Sequence, residues 1–261
     1  MNTNKIVKLI FISLIINILT FLRLNAQNNE TDTIRLSEKR FLTKDLQAGT
    51  NQYLVYAHAK EVGKVFYLGV WSRKISLEKW RGQEVIVISQ DWYSQDTATT
   101  RTIFSVAEGE TFKPIYHYAK SPKQGIEAFN FETNKIVGAD SLANNLRKGW
   151  SIDLKEPTLN WELDMEILAI LPYKEGKHFA VNFYHPGSKM PPQYYVYKVL
   201  GSEKLVAIGN HSIDCWQVRI DYNATMYATF WISKKTKEVI KMKEFFGSGY
   251  RYKIKLGVNI E

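Results

Sequence analysis

The sequence predicts a mainly β fold of the α+β kind: a curved antiparallel sheet, or half-barrel, wrapped around one or two short helices. Three observations lead there. From Tyr53 onward, runs rich in aromatic and β-branched residues recur between short turn segments. The closing runs alternate: Trp216, Val218, Ile220 and Tyr222 share one face and Cys215, Gln217, Arg219 and Asp221 the other. In the same way Tyr250, Tyr252, Ile254 and Leu256 oppose Arg251, Lys253 and Lys255. A sheet with one dry face needs a cover, and a helical segment in the middle of the chain supplies it.

Taken in order, residues 1–26 read as a signal peptide. Lys5 and Lys8 precede an apolar stretch from Leu9 to Leu22, and Leu24-Asn25-Ala26 places a small residue before Gln27. The mature chain is therefore expected to start at Gln27, exported to the periplasm or beyond. With no cysteine following the apolar stretch, it is not lipid-anchored there. Residues 27–48 form a polar lead-in with a helical turn around Ser37–Leu46, and 49–261 a single domain. Expected strands are Tyr53–Lys60, Val65–Ser76, Glu84–Trp92, Arg101–Ala107 and Phe112–Ala119, then a hairpin of Gly125–Phe131 and Lys135–Gly138 about Glu132-Thr133-Asn134.

Asp140–Lys148 has a helical reading, with Leu142 and Leu146 one turn apart, Asp140 as N-cap and Gly149 as stop. In residues 160–171, Trp161, Leu163, Met165 and Ile167 alternate as in a strand, while Trp161, Met165 and Leu168 share a helical face. The helix formers Glu, Leu, Met and Ala favour helix, ended by Pro172. Strands resume at His178–Tyr184, Tyr194–Leu200, Lys204–Ile208, Ile213–Tyr222, Met226–Ser233, Val239–Phe246 and Gly249–Val258, with Pro186–Pro192 as a long loop.

Composition narrows the function. At 261 residues with 45% hydrophobic and 13% aromatic side chains, the chain can bury a real core, so it is not a disordered protein. One cysteine excludes a disulfide scaffold or a thiolate-rich zinc site. Lys5, Lys8 and Arg23 leave with the signal, lowering the net charge from +9 to +6. Eight cations crowd the last hairpin: Lys234, Lys235, Lys237, Lys241, Lys243, Arg251, Lys253 and Lys255, opposed there by Glu238 and Glu244. An exported protein does not meet nucleic acid, so this strip reads as a patch for an anionic envelope component such as lipid head groups or an acidic glycan, or as the wet face of the hairpin, where lysines prevent edge pairing.

A resemblance adds to this reading. Leu46-Gln47-Ala48-Gly49-Thr50 leads into a Tyr-rich strand, and Trp71–Trp92 runs through a Gly turn into Val85–Ile88 and Gln90-Asp91-Trp92. Ile167–Gly176 reads Ile-Leu-Ala-Ile-Leu-Pro-Tyr-Lys-Glu-Gly, and Phe230-Trp231-Ile232 precedes Val239-Ile240-Lys241-Met242. Over most of residues 45–257 this resembles a family of exported bacterial domains of unknown function. Those domains resemble the half-barrel of LolA/LolB-like periplasmic lipoprotein carriers, whose concave side holds acyl chains. The resemblance implies a curved sheet around a helix and brings no catalytic residues with it.

Catalytic signatures are scarce. None of His58, His117, His178, His185 and His211 sits in a His-Glu-x-x-His pattern, and neither a Gly-x-Ser-x-Gly elbow nor a phosphate-binding glycine loop occurs. Glu162, Asp164 and Glu166 could supply paired carboxylates but read more simply as the solvated face of the amphipathic segment, and Cys215 could be a reactive thiol but reads more simply as a buried, inert one. Seven Trp and fifteen Tyr exceed what turns need and suit either a core or an apolar trough. Trp216, Val218, Ile220, Tyr252 and Ile254 are the expected inward, ligand-facing residues. The expectation is a non-catalytic envelope protein, with no cofactor and no metal, that binds a lipid, acyl chain or other hydrophobic ligand. The alternatives are a structural or adaptor subunit holding a protein or anionic glycan through the sheet and its basic hairpin, and a hydrolase with a dispersed site.

Overall fold

Tyr53, Val55 and Ala57 are buried in one strand while Leu54 and Tyr56 between them are not, and a similar alternation marks several later strands. The computed structural model describes residues 31–61, 63–206 and 211–257; the expected signal peptide lies outside them. The first half of the chain forms β1 (Thr31–Ile34), β2 (Gly49–Ala59), β3 (Val65–Trp80), β4 (Gln83–Ser94), β5 (Arg101–Glu108), β6 (Pro114–Ser121), β7 (Gly125–Phe131), β8 (Lys135–Gly138) and β9 (Ser151–Asp153). A short β10 (Leu159–Asn160), a 3-10 turn (Trp161–Leu163) and the helix α1 (Asp164–Ala169) follow. Then come β11 (His178–Tyr184), β12 (Gln193–Val206), β13 (Ser212–Asp221), β14 (Tyr227–Ser233), β15 (Val239–Phe245) and β16 (Gly249–Leu256).

Two antiparallel meanders, β2 to β9 and β11 to β16, join into one open, curved sheet because β16 pairs with β2. At the far edge β1 and β10 each run parallel to β11, covering successive halves of it. The sheet is not closed by strand pairing. Its ends meet through side chains instead: Phe129 and Trp150 from one end pack on Tyr184 of β11. The helix fills the concave side, with Met165, Ile167 and Leu168 buried against Val218, Phe230 and Met242.

The expected strands recur with small shifts, and two merge. Tyr194–Leu200 and Lys204–Val206 belong to one strand, β12, bent by a register slip between Val199 and Gly201, while the expected strand ends at 207–208 and at Val258 lie outside the described residues. Gly201 has φ +140°, a conformation open to glycine and strained for other residues, which lets the strand bend without ending. Asp140–Lys148 is not a helix but a series of turns. Asn145 decides this. Its buried amide accepts from the N–H of Ala128 and donates to the carbonyls of Ala128 and Ala139, replacing helical hydrogen bonds with bonds to the edge of β7. The helix expected over 160–171 is shortened to six residues, because Asn160 continues β10 and caps the 3-10 turn through the N–H of Glu162.

Candidate functional site

The concave face is not filled by the helix alone. A cavity of about 410 Å³ lies between α1 and the strands, walled by Trp71, Trp161, Tyr195, Tyr222, Arg73 and Lys253. Beside it a second cavity of about 430 Å³ is lined by Phe66, Tyr67 and Phe246. The two share Trp71, Trp92, Glu244 and Arg251, so they form one trough with a charged end and an apolar end. Trp71 and Trp92, paired across β3 and β4, stack with ring centroids 3.7 Å apart and planes 4° from parallel. Lys253 lies 4.8 Å from the Trp71 ring and Arg101 5.1 Å from that of Trp92. A two-indole platform with a cation at each indole thus divides the trough.

The charged end is wired by the acids of the helical segment. Arg73, only 2% exposed, donates from Nε to Glu166 Oε1 at 2.8 Å and from Nη2 to Glu166 Oε2, and also reaches Gln90 and the carbonyl of Glu162. Glu162 is held by Arg101 at 2.7 Å. Burial works to raise the Glu162 carboxyl, but the neighbouring positive groups, Arg101 foremost with Arg73 behind it, together hold the group below its usual range. The expected solvated acidic face is therefore an inward one. Glu166 and Asp164 are buried and Glu162 nearly so, because arginines from β3 and β5 project into the concave side and need carboxylates there.

Ser105, His117 and Asn160 come together in the core, but not as a nucleophile relay. Ser105 Oγ and Asn160 Nδ2 both approach the same ring nitrogen of His117, Nδ1, at 2.9 and 3.0 Å, and all three residues are buried. The trio ties β5, β6 and β10. Burial pulls the His117 pKa down to about 4. Between the ordinary 6.5 and this value the unfolded chain binds a proton that the folded chain refuses, so stability falls on acidification. Urea unfolding of wild type is expected to lose about 2 kcal/mol more than His117→Gln between about pH 7 and 5. Parallel pH profiles of the two proteins would sink this assignment. Among the described residues, no three or more His, Cys, Asp or Glu gather as a metal site would require.

The model of a protein family described as "Protein of unknown function (DUF3108)" matches residues 52–255, which include both trough walls. The chain belongs to the DUF3108 family. No curated protein matches it. Among solved structures, this DUF3108 chain is similar to the hypothetical lipoprotein YmcC from Escherichia coli (K12), at 13% identity and a TM-score of 0.30 over 81% of this chain and 89% of that one. It is also similar to a DUF1329 family protein from Desulfovibrio piger, at 11% identity and a TM-score of 0.29 over 88% and 94%.

On the DUF3108 sheet the five expected inward residues divide. Val218 and Ile220 are fully buried in the core under the helix, and Trp216 packs beside it against Tyr173. Tyr252 and Ile254 are on the other face. Tyr252 stacks on Tyr56 at 4.9 Å, and its neighbour Lys253 is the residue that lines the trough. The alternation of β16 holds, but its basic side is inside: Lys253 and Lys255 are buried, and Arg251 reaches the carboxylate of Glu244 at 2.6 Å. Polar partners waiting on the concave side reverse the assignment that hydrophobicity suggests.

The basic strip is split by the same rule. Lys241 and Lys243 lie on the convex face over Trp231 and Tyr250, and Lys234 caps the Trp216 ring. Lys235 and Lys237 belong to the turn before β15, where Lys237 has φ 62°. Cys215 is buried on the convex face with Trp231 and Ile240, and burial pushes its thiol up to about 11. Sequence reasoning missed Trp71, Trp92 and Arg73, and placed Glu166 on a solvated face. The alternation of β3 and the Gln90-Asp91-Trp92 run mark their strands, but no local signal marks their partners.

Proposed function

We propose that this chain is a non-catalytic protein of the cell envelope that binds an amphiphilic or hydrophobic small ligand in the trough. One observation carries the reading: the paired cavities, joined over the Trp71–Trp92 stack, stay open on the concave side beside the helix. Apolar walls of Phe66, Tyr67 and Phe246 suit a hydrocarbon body, and the polar end gives it an orientation. Export follows from the leader expected in residues 1–26. The adaptor alternative has less support. It rests on a contiguous basic edge, and Arg251, Lys253 and Lys255 turn inward from that edge. No described helix is long and apolar enough to cross a membrane.

Titration of the purified chain with dodecanol, followed by tryptophan emission and calorimetry, is expected to show saturable binding of one molecule per chain. Phe66 is 61% exposed at the apolar end, so Phe66→Asp should leave stability within about 0.5 kcal/mol of wild type. Binding should weaken about ten-fold or more, because a carboxylate would have to be desolvated against the ligand. No saturable binding, or unchanged affinity in Phe66→Asp, would overturn the trough reading.

A further inference from the structure

Two inward lysines of β16 have opposite fates. Lys255, 8% exposed, is satisfied: its ammonium lies 3.3 Å from Glu238 and donates to the carbonyl of Gly257 at 3.3 Å. Lys253, 6% exposed, is not. Its Nζ has the thioether of Met165 at 3.8 Å and the face of Trp71 at 4.8 Å, and no carboxylate or carbonyl of a described residue within hydrogen-bonding distance. A thioether is a weak acceptor and an indole face takes one side of the ammonium, so two of its three donors have no strong acceptor. Buried lysines in a settled core are paired or reach water, and this one lines a cavity instead.

The carboxylates around it are engaged elsewhere. Glu166 holds Arg73, Glu162 holds Arg101 and Glu244 holds Arg251. Asp164, whose charge favours the ammonium through space, spends one oxygen on the N–H of Met165 at 2.8 Å and forms no ion pair with Lys253. Among the described residues, the trough therefore contains one cation without an anion in contact. It sits above the indole platform, at the junction with the apolar cavity.

We infer that Lys253 is the receptor for an acidic head group, and that the ligand of the trough is an anionic amphiphile. Its head takes the free donors of Lys253 beside Trp71, and its apolar body runs past Trp92 toward Phe66 and Phe246. This rests on the trough reading above and names the class of ligand. Burial lowers the pKa of Lys253 to about 8, which leaves the ammonium charged at neutral pH. A carboxylate or a phosphate monoester would satisfy it equally in kind, as a charge-assisted acceptor.

The test compares dodecanol, dodecanoate and dodecyl phosphate on the full chain at neutral pH, in wild type and in Lys253→Met. In wild type, at least one acid is expected to bind about ten-fold or more tightly than the alcohol. Tighter dodecanoate identifies a fatty-acid head, and tighter dodecyl phosphate a lipid phosphate. Lys253→Met, which is uncharged and one atom shorter, should remove the preference of the acids over dodecanol. Equal affinity of wild type for all three overturns this inference and leaves the trough reading standing. Failure of all three to bind overturns both. A preference that survives in folded Lys253→Met overturns the role of Lys253. The wild-type comparison stands even if the variant does not fold.

Discussion

Replacing Glu166 with alanine is expected to cost the fold about 3–5 kcal/mol. Arg73 is 2% exposed and Glu166 4%, and the guanidinium spends two of its donors on this one carboxylate. Removing the carboxylate does not remove the charge opposite it. Arginine cannot shed its proton in a protein, so Glu166→Ala leaves a cation in the core with Gln90 and one carbonyl for company. The double replacement Arg73→Met with Glu166→Met should recover most of the loss, since both desolvation penalties go together. Exposed pairs provide the contrast: breaking Arg219–Asp221, both about a third exposed, should change stability by under about 1 kcal/mol. Urea unfolding followed by circular dichroism measures all of these. A loss under about 1 kcal/mol in Glu166→Ala would mean that water reaches Arg73 and that this end of the trough is wetter than its geometry implies.

Lys253→Met is expected to act in the opposite direction and stabilise the empty protein by about 2–3 kcal/mol at neutral pH. Burial draws the pKa of this lysine from 10.5 to about 8, and each unit is worth about 1.4 kcal/mol. Below about pH 8 both folded and unfolded chains carry the proton, and the folded one bears the full penalty of a buried cation. Between about 8 and 10.5 the folded chain has lost the proton and the unfolded chain keeps it, so wild-type stability attributable to this group rises with pH. The advantage of methionine should therefore shrink across that window. Loss of the cation–π contact with Trp71 trims the gain without reversing it. Thermal and urea unfolding at about pH 7 and pH 10 decide the matter: a variant less stable than wild type at pH 7 would show that Lys253 is a structural cation. A group that weakens the empty fold and faces a cavity fits the pattern of stability given up for binding.

Much of the fold was legible in the chain. The hairpin Gly125–Phe131 and Lys135–Gly138 and the strand His178–Tyr184 stand where the residues placed them, because strand alternation and turn chemistry act within a few residues. The pieces that escaped are β1, β9 and β10. Each has two to four residues, too few for a period, and each exists because an edge of the sheet was there to pair with. The false helix at Asp140–Lys148 failed for a related reason: helical spacing of Leu142 and Leu146 is a local signal, and the bonds that Asn145 makes to Ala128, 17 residues away in the chain, outweigh it.

The site was less legible than the fold. Alternation on β16 announced two faces, but which one points inward depends on what waits inside. Hydrophobicity suggested Tyr252 and Ile254, yet the concave side holds Glu244, Glu162 and Asp164, and Arg251 and Lys253 turn toward them.

The amino-acid sequence by itself determined that this is an antiparallel, aromatic-rich sheet with a short helical plug, and it determined the order and nearly the limits of most strands, since those depend on neighbours in the chain. Only the tertiary structure decided that the acids of the plug face inward, that two tryptophans stack to divide a trough, and that Lys253 has no counter-ion in contact among the described residues. The reason is distance: Arg73 meets Glu166 across 93 residues, and a buried charge is stable or stranded according to partners that no local pattern can name.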